Sequence, residues 1–146
     1  MDFINYILNE ESFSNRIPYK KCKINYVTEI EELPIEEVKE SLNQGVVIKG
    51  DFNGKKYITL KINQKVAHLL QQVMWDLIEN MKVPQRCYFQ MFELYNEEGH
   101  QMILHKQEDT NYKKLYRITS KIITTTGKVF IQDDQDTCVM MFDYEY

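Results

Sequence analysis

Between residues 63 and 81 the apolar positions recur at helical spacing. Val66, Leu69, Leu70, Val73, Leu77, Ile78 and Met81 share one stripe, with Gln64, Lys65, Gln71, Gln72, Asp76, Glu79 and Asn80 opposite. Asn63 suits an N-cap and Pro84 lies just beyond the end, so the spacing predicts one long helix over 63–81. Downstream the period changes to two. Residues 87–95 and 101–107 alternate and are joined through Asn-Glu-Glu-Gly, a hairpin signal. Residues 115–119, 121–125, 128–132 and 137–142 read as further strands, the last two turning at Asp133 to Asp136.

The pattern ahead of the helix is more mixed. A short helix is predicted over 1–12 and a half-buried strand over 21–27. A second helix is predicted over 33–42, with Pro34 in its first turn and Glu36 and Glu37 near its N-terminus. Residues 46–52 and 55–62 flank Asn53-Gly54, where both turn residues accept positive φ, so a hairpin is predicted there. Together these elements predict an α+β fold: one long helix packed on a mostly antiparallel meander sheet, with a small mixed N-terminal addition. A soft boundary near residue 53 separates an acidic addition, 1–53, from the α+β body, 54–146, and one continuous domain is the other arrangement.

Charge sharpens that boundary. The 146 residues carry a net charge of −4, and residues 1–53 hold ten acids against six bases while 54–146 hold twelve of each. With 43% apolar and 27% charged residues the chain has the composition of a folded domain. Its acidity argues against direct nucleic-acid binding, which rests on a cationic surface. Cys22, Cys87 and Cys138 are an odd, scattered set, which excludes a disulfide framework and a Cys-rich zinc site. No run approaches membrane-spanning length and the first residues lack a signal-peptide pattern, so the expected location is the cytoplasm of a bacterial host.

Two polar constellations stand out. Glu29, Glu31, Glu32, Glu36, Glu37 and Glu40 place six acids in twelve positions, offset by Lys39 alone. On the outer face of a helix they would imitate a phosphate line and fit a cationic groove on a partner. The ordinary reading is a wet helix face. The second constellation is His105, Gln107 and Glu108 with Asp133, Asp134 and Asp136. If the aspartate turn folded near His105, acid-base or metal chemistry would be possible; otherwise the aspartates simply build a solvated turn. No established metal-ligand spacing or nucleotide loop occurs, so neither a metal, a cofactor nor a catalytic residue is assigned. Lys113, Lys114, Arg117 and Lys121, interleaved with Tyr112 and Tyr116, form the one basic-aromatic patch.

Several words in order carry a resemblance: KKYITLKIN at Lys55 to Asn63, WDLIE at Trp75 to Glu79, FQMFEL at Phe89 to Leu94, HKQEDTNY at His105 to Tyr112 and IQDDQDT at Ile131 to Thr137. From about residue 55 onward the chain resembles domain-of-unknown-function family 960, small proteins of Gram-positive bacteria, their phages and mobile elements. It departs from that pattern at Gln135, where the family has glycine, and at Lys106, where it has serine. The resemblance implies a context and no reaction. The expectation drawn from all of this is a non-enzymatic binding protein that presents the acidic series to a cationic host protein. A counter-defence inhibitor of a nuclease or RNA-guided effector, as anti-CRISPR proteins are, is the concrete form. A small metal- or nucleotide-dependent enzyme using the His105 and Asp133 region, and a structural phage or plasmid component, are the alternatives.

Overall fold

A computed structural model describes residues 15–21, 25–26, 29–35 and 47–146. Its strands are β1 (Arg16–Pro18), β2 (Ile30–Leu33), β3 (Lys55–Thr59), β4 (Phe89–Glu97), β5 (His100–Gln107), β6 (Lys113–Ile118), β7 (Gly127–Asp133) and β8 (Thr137–Phe142). All eight join one sheet in the order β1-β3-β8-β7-β4-β5-β6-β2. Every neighbouring pair is antiparallel except β3 and β8, which run parallel. Two helices, α1 (Leu60–Lys65) and α2 (His68–Glu79), connect β3 to β4.

Alternation sorts the strands into two faces. Phe92 on β4 pairs across to His105 and Val129, and Val129 to Phe142, so these four form one transverse row. That face, with Ile58, Leu94, Ile103, Ile131 and Met140, packs against Leu70, Val73, Met74 and Ile78 of α2. Each fully buried aliphatic or aromatic side chain here stabilises by about 1.5–3 kcal/mol.

Among the described residues, the expected architecture of one long helix on a meander is corrected to an eight-stranded mixed sheet carrying one substantial helix. The first difference lies in the helix itself. The Thr59 hydroxyl accepts a hydrogen bond from Ile62 N at 3.3 Å, so helix begins at Leu60 and not at Asn63. It stops where Val66 turns extended, φ −111° and ψ 123°, and restarts at His68. The Gln71 amide donates to the Val66 carbonyl at 2.9 Å, satisfying a group that the break would otherwise strand. The second difference is on the outer side of α2, where Gln71 and Gln72 are buried although they stand on its polar stripe. Residues Tyr19 and Tyr26, on the path from β1 to β2, pack there, with Tyr19 5.6 Å from Trp75 and Tyr26 bonded to Asp76.

No hairpin forms at Asn53-Gly54. β3 pairs with β1 and β8, while residues 48–50 pair briefly with 86–88 through Gly50 N to Arg86 O, 2.9 Å, and Tyr88 N to Ile48 O, 2.8 Å. Gly54 is needed for proximity, since a Cβ there would stand 2.6 Å from the Asp136 carbonyl oxygen. Phe52 adopts φ +53°, an unusual setting for an aromatic residue. Arg86 holds that segment: its guanidinium donates to Gly50 O at 3.1 Å, to Ile78 O at 3.1 Å and to Asp51 O, and lies 5.4 Å over the Phe52 ring. Residues 121–125 are not a strand either. The Gln101 side chain takes up their backbone, accepting from Thr125 N at 2.7 Å and donating to Thr125 O at 3.1 Å. Leu33, the expected start of a helix, ends strand β2. Pro34 and Ile35 after it are not helical, and residues 36–42 of that predicted helix, the helix over 1–12 and most of the strand over 21–27 lie outside the described residues.

Candidate functional site

The His105 constellation is built into the core. His105 is fully buried, stacked on Phe92 at 4.3 Å and met edge-on by Tyr112 at 5.1 Å. Its Nε2 lies 2.7 Å from Gln90 Oε1. A chain of bonds fixes which atom is which. The Cys87 backbone N–H donates to Gln107 Oε1 at 2.6 Å, and Gln90 Nε2 donates to the same oxygen at 2.9 Å and to Cys87 O at 2.8 Å. Gln90 therefore turns its oxygen to His105, which must carry its proton on Nε2. Burial lowers the His105 pKa from 6.5 to about 3, so the ring is neutral at physiological pH. Glu108 N bonds back to Phe89 O at 3.2 Å, at the end of the β4–β5 pairing.

Asp133 does not join His105. Val129, not Asp133, lies in the row of Phe92 and His105, and four residues of β7 separate the two, about 13 Å of strand. Asp133 is buried, its Oδ2 accepting from Phe52 N at 2.9 Å and its Oδ1 from Gln135 N at 2.9 Å. It closes the β7–β8 turn and anchors the strained Phe52. Asp134 and Asp136 are exposed on that turn. Among the described residues no group of three His, Cys, Asp or Glu side chains is placed to hold a metal ion. Burial pushes both described thiols up, Cys138 to about 11, so they stay protonated near neutrality.

The acidic series divides. Glu29 sits in the turn before β2, Glu31 and Glu32 are exposed on β2, and Glu36, Glu37 and Glu40 lie outside the described residues. β2 is the terminal strand, paired in register with β6: Glu31 opposite Arg117, Glu32 opposite Tyr116. Both Glu31 oxygens accept from Arg117 at 3.2 Å, and Glu32 stands 3.9 Å from Lys114. The acidic series and the basic-aromatic patch, separate in the sequence, thus meet across one strand pair. Surface pairs of this kind are held weakly, at about 0–1 kcal/mol each.

One further constellation was hidden by distance along the chain. Tyr19, Lys21, Gly54, Lys56, Trp75, Asp76 and Glu79 line a cleft of about 260 Å³ between α2, β3 and the segment after β1. Lys56 bridges to Glu79 at 3.1 Å and lies 5.8 Å over the Trp75 ring, and Lys21 reaches Asp76 at 3.9 Å. Burial, then the hydrogen bond it donates to Asp76, hold the Tyr26 phenol well above its ordinary range. Asp76 and Glu79, three apart on the polar stripe of α2, are the one sequence signal that pointed here.

A family model described as "Staphylococcal protein of unknown function (DUF960)" matches residues 55–145. The chain belongs to this family. A crystal structure of a protein of unknown function from Enterococcus faecalis is similar to it, at 18% identity and a TM-score of 0.58, over 66% of this chain and 93% of that one. At that identity the likeness to the enterococcal protein is one of fold. No curated protein matches. For the DUF960 domain here, the described N-terminal pieces supply both outermost strands of the sheet, β1 and β2. Among the described residues no helix is long and apolar enough to cross a membrane.

Proposed function

We propose that this DUF960 protein is a non-enzymatic binding protein whose contact surface is the acidic edge of the sheet. The observation that carries this is the placement of Glu31 and Glu32: exposed, on the terminal strand, each facing a single loosely held cation. A partner with a stronger cationic groove would displace Arg117 and Lys114 at little cost, because exposed pairs contribute little. Long-range attraction to the acidic edge would then speed the encounter and fade with salt. The finer form of the reading is a counter-defence inhibitor that occupies the basic channel of a nuclease or RNA-guided effector, a channel that is cationic because it holds a nucleic-acid backbone.

Support also comes from what the rival constellation does. His105, Gln107 and Asp133, the residues an enzyme at this place would use, make hydrogen bonds that hold β4, β5 and the Phe52 segment together. The test compares wild type with Glu31→Gln/Glu32→Gln, both exposed and away from the core. Tagged protein is used to capture partners from a staphylococcal lysate at low and high salt, and the affinity for the purified partner is then measured. A salt-released complex should weaken about tenfold in the double variant, as the loss of about 1.4 kcal/mol requires. Undiminished affinity would remove the acidic edge from the mechanism.

A further inference from the structure

The cleft between α2 and β3 has a charge layout of its own. Its acids come from one wall, Asp76 and Glu79 on the outer side of α2, and its lysines from the other, Lys56 on β3 and Lys21 after β1. The two walls are unequal in how firmly they are joined. Lys56 and Glu79 are in close contact at 3.1 Å, whereas Lys21 stands 3.9 Å from Asp76 with 66% of its side chain exposed. Asp76 is only 18% exposed, so a carboxylate shielded from water faces one distant, exposed cation. Its Oδ2 accepts the Tyr26 hydroxyl, which leaves Oδ1 toward the cleft and Lys21. Close by, the Trp75 indole N–H is buried and has no hydrogen-bond partner among the described residues. Buried donors are rarely left in that state.

We propose that this cleft binds a small zwitterion of the amino-acid class. The ligand's ammonium or guanidinium group takes the Asp76 and Glu79 wall, and its carboxylate takes the Lys21 ammonium that the ligand's cation displaces from Asp76. Size and charge both select this class. A volume of about 260 Å³ lies below that of pockets for drug-sized molecules, typically about 300–1,000 Å³, and suits a single amino acid. Two carboxylates repel a phosphate-bearing ligand, while two lysines disfavour a ligand that is only a cation. Tyr19 and Trp75 supply aromatic wall against which a ligand's aliphatic stem or guanidinium plane can lie. None of these residues belongs to the acidic edge, so the inference stands apart from the protein-partner reading.

The experiment is calorimetric titration of the purified protein with L-arginine and with agmatine, which has the same guanidinium and stem without the carboxylate. L-Arginine should bind saturably with a Kd of about 1 mM or below, and agmatine several-fold more weakly. Lys21→Ala, a change at an exposed position, should erase the advantage of L-arginine, while agmatine, relieved of a competing cation at Asp76, should bind more tightly. Asp76→Asn should weaken both ligands about tenfold, the loss of one charge-assisted contact. If Asp76→Asn fails to fold, Glu79→Gln at its more exposed position serves the same comparison. Absence of saturable heat with L-arginine would overturn the proposal. So would equal binding of the two ligands, or an unchanged L-arginine affinity in Lys21→Ala.

Discussion

Protonation of His105 should be the main acid-sensitive event in this fold. Its ring is fully buried between Phe92 and Tyr112, and its pKa falls from 6.5 to about 3 because burial penalises the charged form. The unfolded chain binds a proton at this ring below pH 6.5; the folded chain does so only near pH 3. Stability is therefore full above the unfolded value and drains away as pH falls through the interval between the two. The loss from this residue alone amounts to about 2 kcal/mol near pH 5 and about 3 kcal/mol near pH 4. Against a typical total of about 5–15 kcal/mol, that is a large fraction.

The assay is urea unfolding at about pH 7.5, 5 and 4, followed by fluorescence of the single tryptophan, Trp75, in wild type and His105→Gln. Glutamine can still donate to Gln90 Oε1 but cannot titrate. It loses the stack on Phe92 and should lower stability near neutrality by about 1–3 kcal/mol. As pH falls toward 5 the gap between the two proteins should narrow by about 2 kcal/mol, since only wild type carries the penalty. A gap that stays constant across this range would refute the reasoning, because it would mean that His105 already holds a proton in the folded state or is not sealed from water.

Two other changes follow from backbone geometry and its supports. Gln135 occupies φ +76°, the setting glycine tolerates best, so Gln135→Gly should raise stability by about 1 kcal/mol in thermal unfolding, and a drop would show that its side chain matters more than its strain. Arg86→Ala removes the donor to three carbonyl oxygens and the cover over Phe52, and should cost about 3 kcal/mol by denaturant titration; a loss under about 0.5 kcal/mol would mean that Asp133 and the backbone bonds between residues 48–50 and 86–88 hold the Gly50–Phe52 segment without the guanidinium.

The central strands were legible because their information is local. Residues 87–107 alternate across both arms, and Glu98 and Gly99 at φ +52° and +86° turn the chain between β4 and β5 as that pattern predicts. What stayed hidden is long-range. Nothing near Lys55 announces that its partner is Thr137, and Asn53-Gly54 imitates a hairpin signal while serving the contact with Asp136. The helix stripe correctly marked Leu70, Val73 and Ile78 as core, but no periodicity could show that Tyr19 and Tyr26 cross its other side. His105 and Asp133 were legible as unusual residues, and their separation by four positions of β7 was not.

The parallel pairing of β3 with β8 also sets the order in which the sheet can be completed. β8 is the last of the eight strands to leave the ribosome, yet it occupies the third place from one edge of the sheet. Until it arrives, β1 and β3 have no strand pairing with the β7-β4-β5-β6 array, and both the β3 and β7 edges lie open. Closing the gap requires residues about eighty positions apart to find one register, which is slow because loop entropy is paid before the contacts form. Newly made chains should therefore pass through a stage with two unpaired strand edges, open to pairing between molecules. Synthesis at lower temperature or at a reduced rate would be expected to raise the soluble yield of this protein without changing the stability of the finished fold.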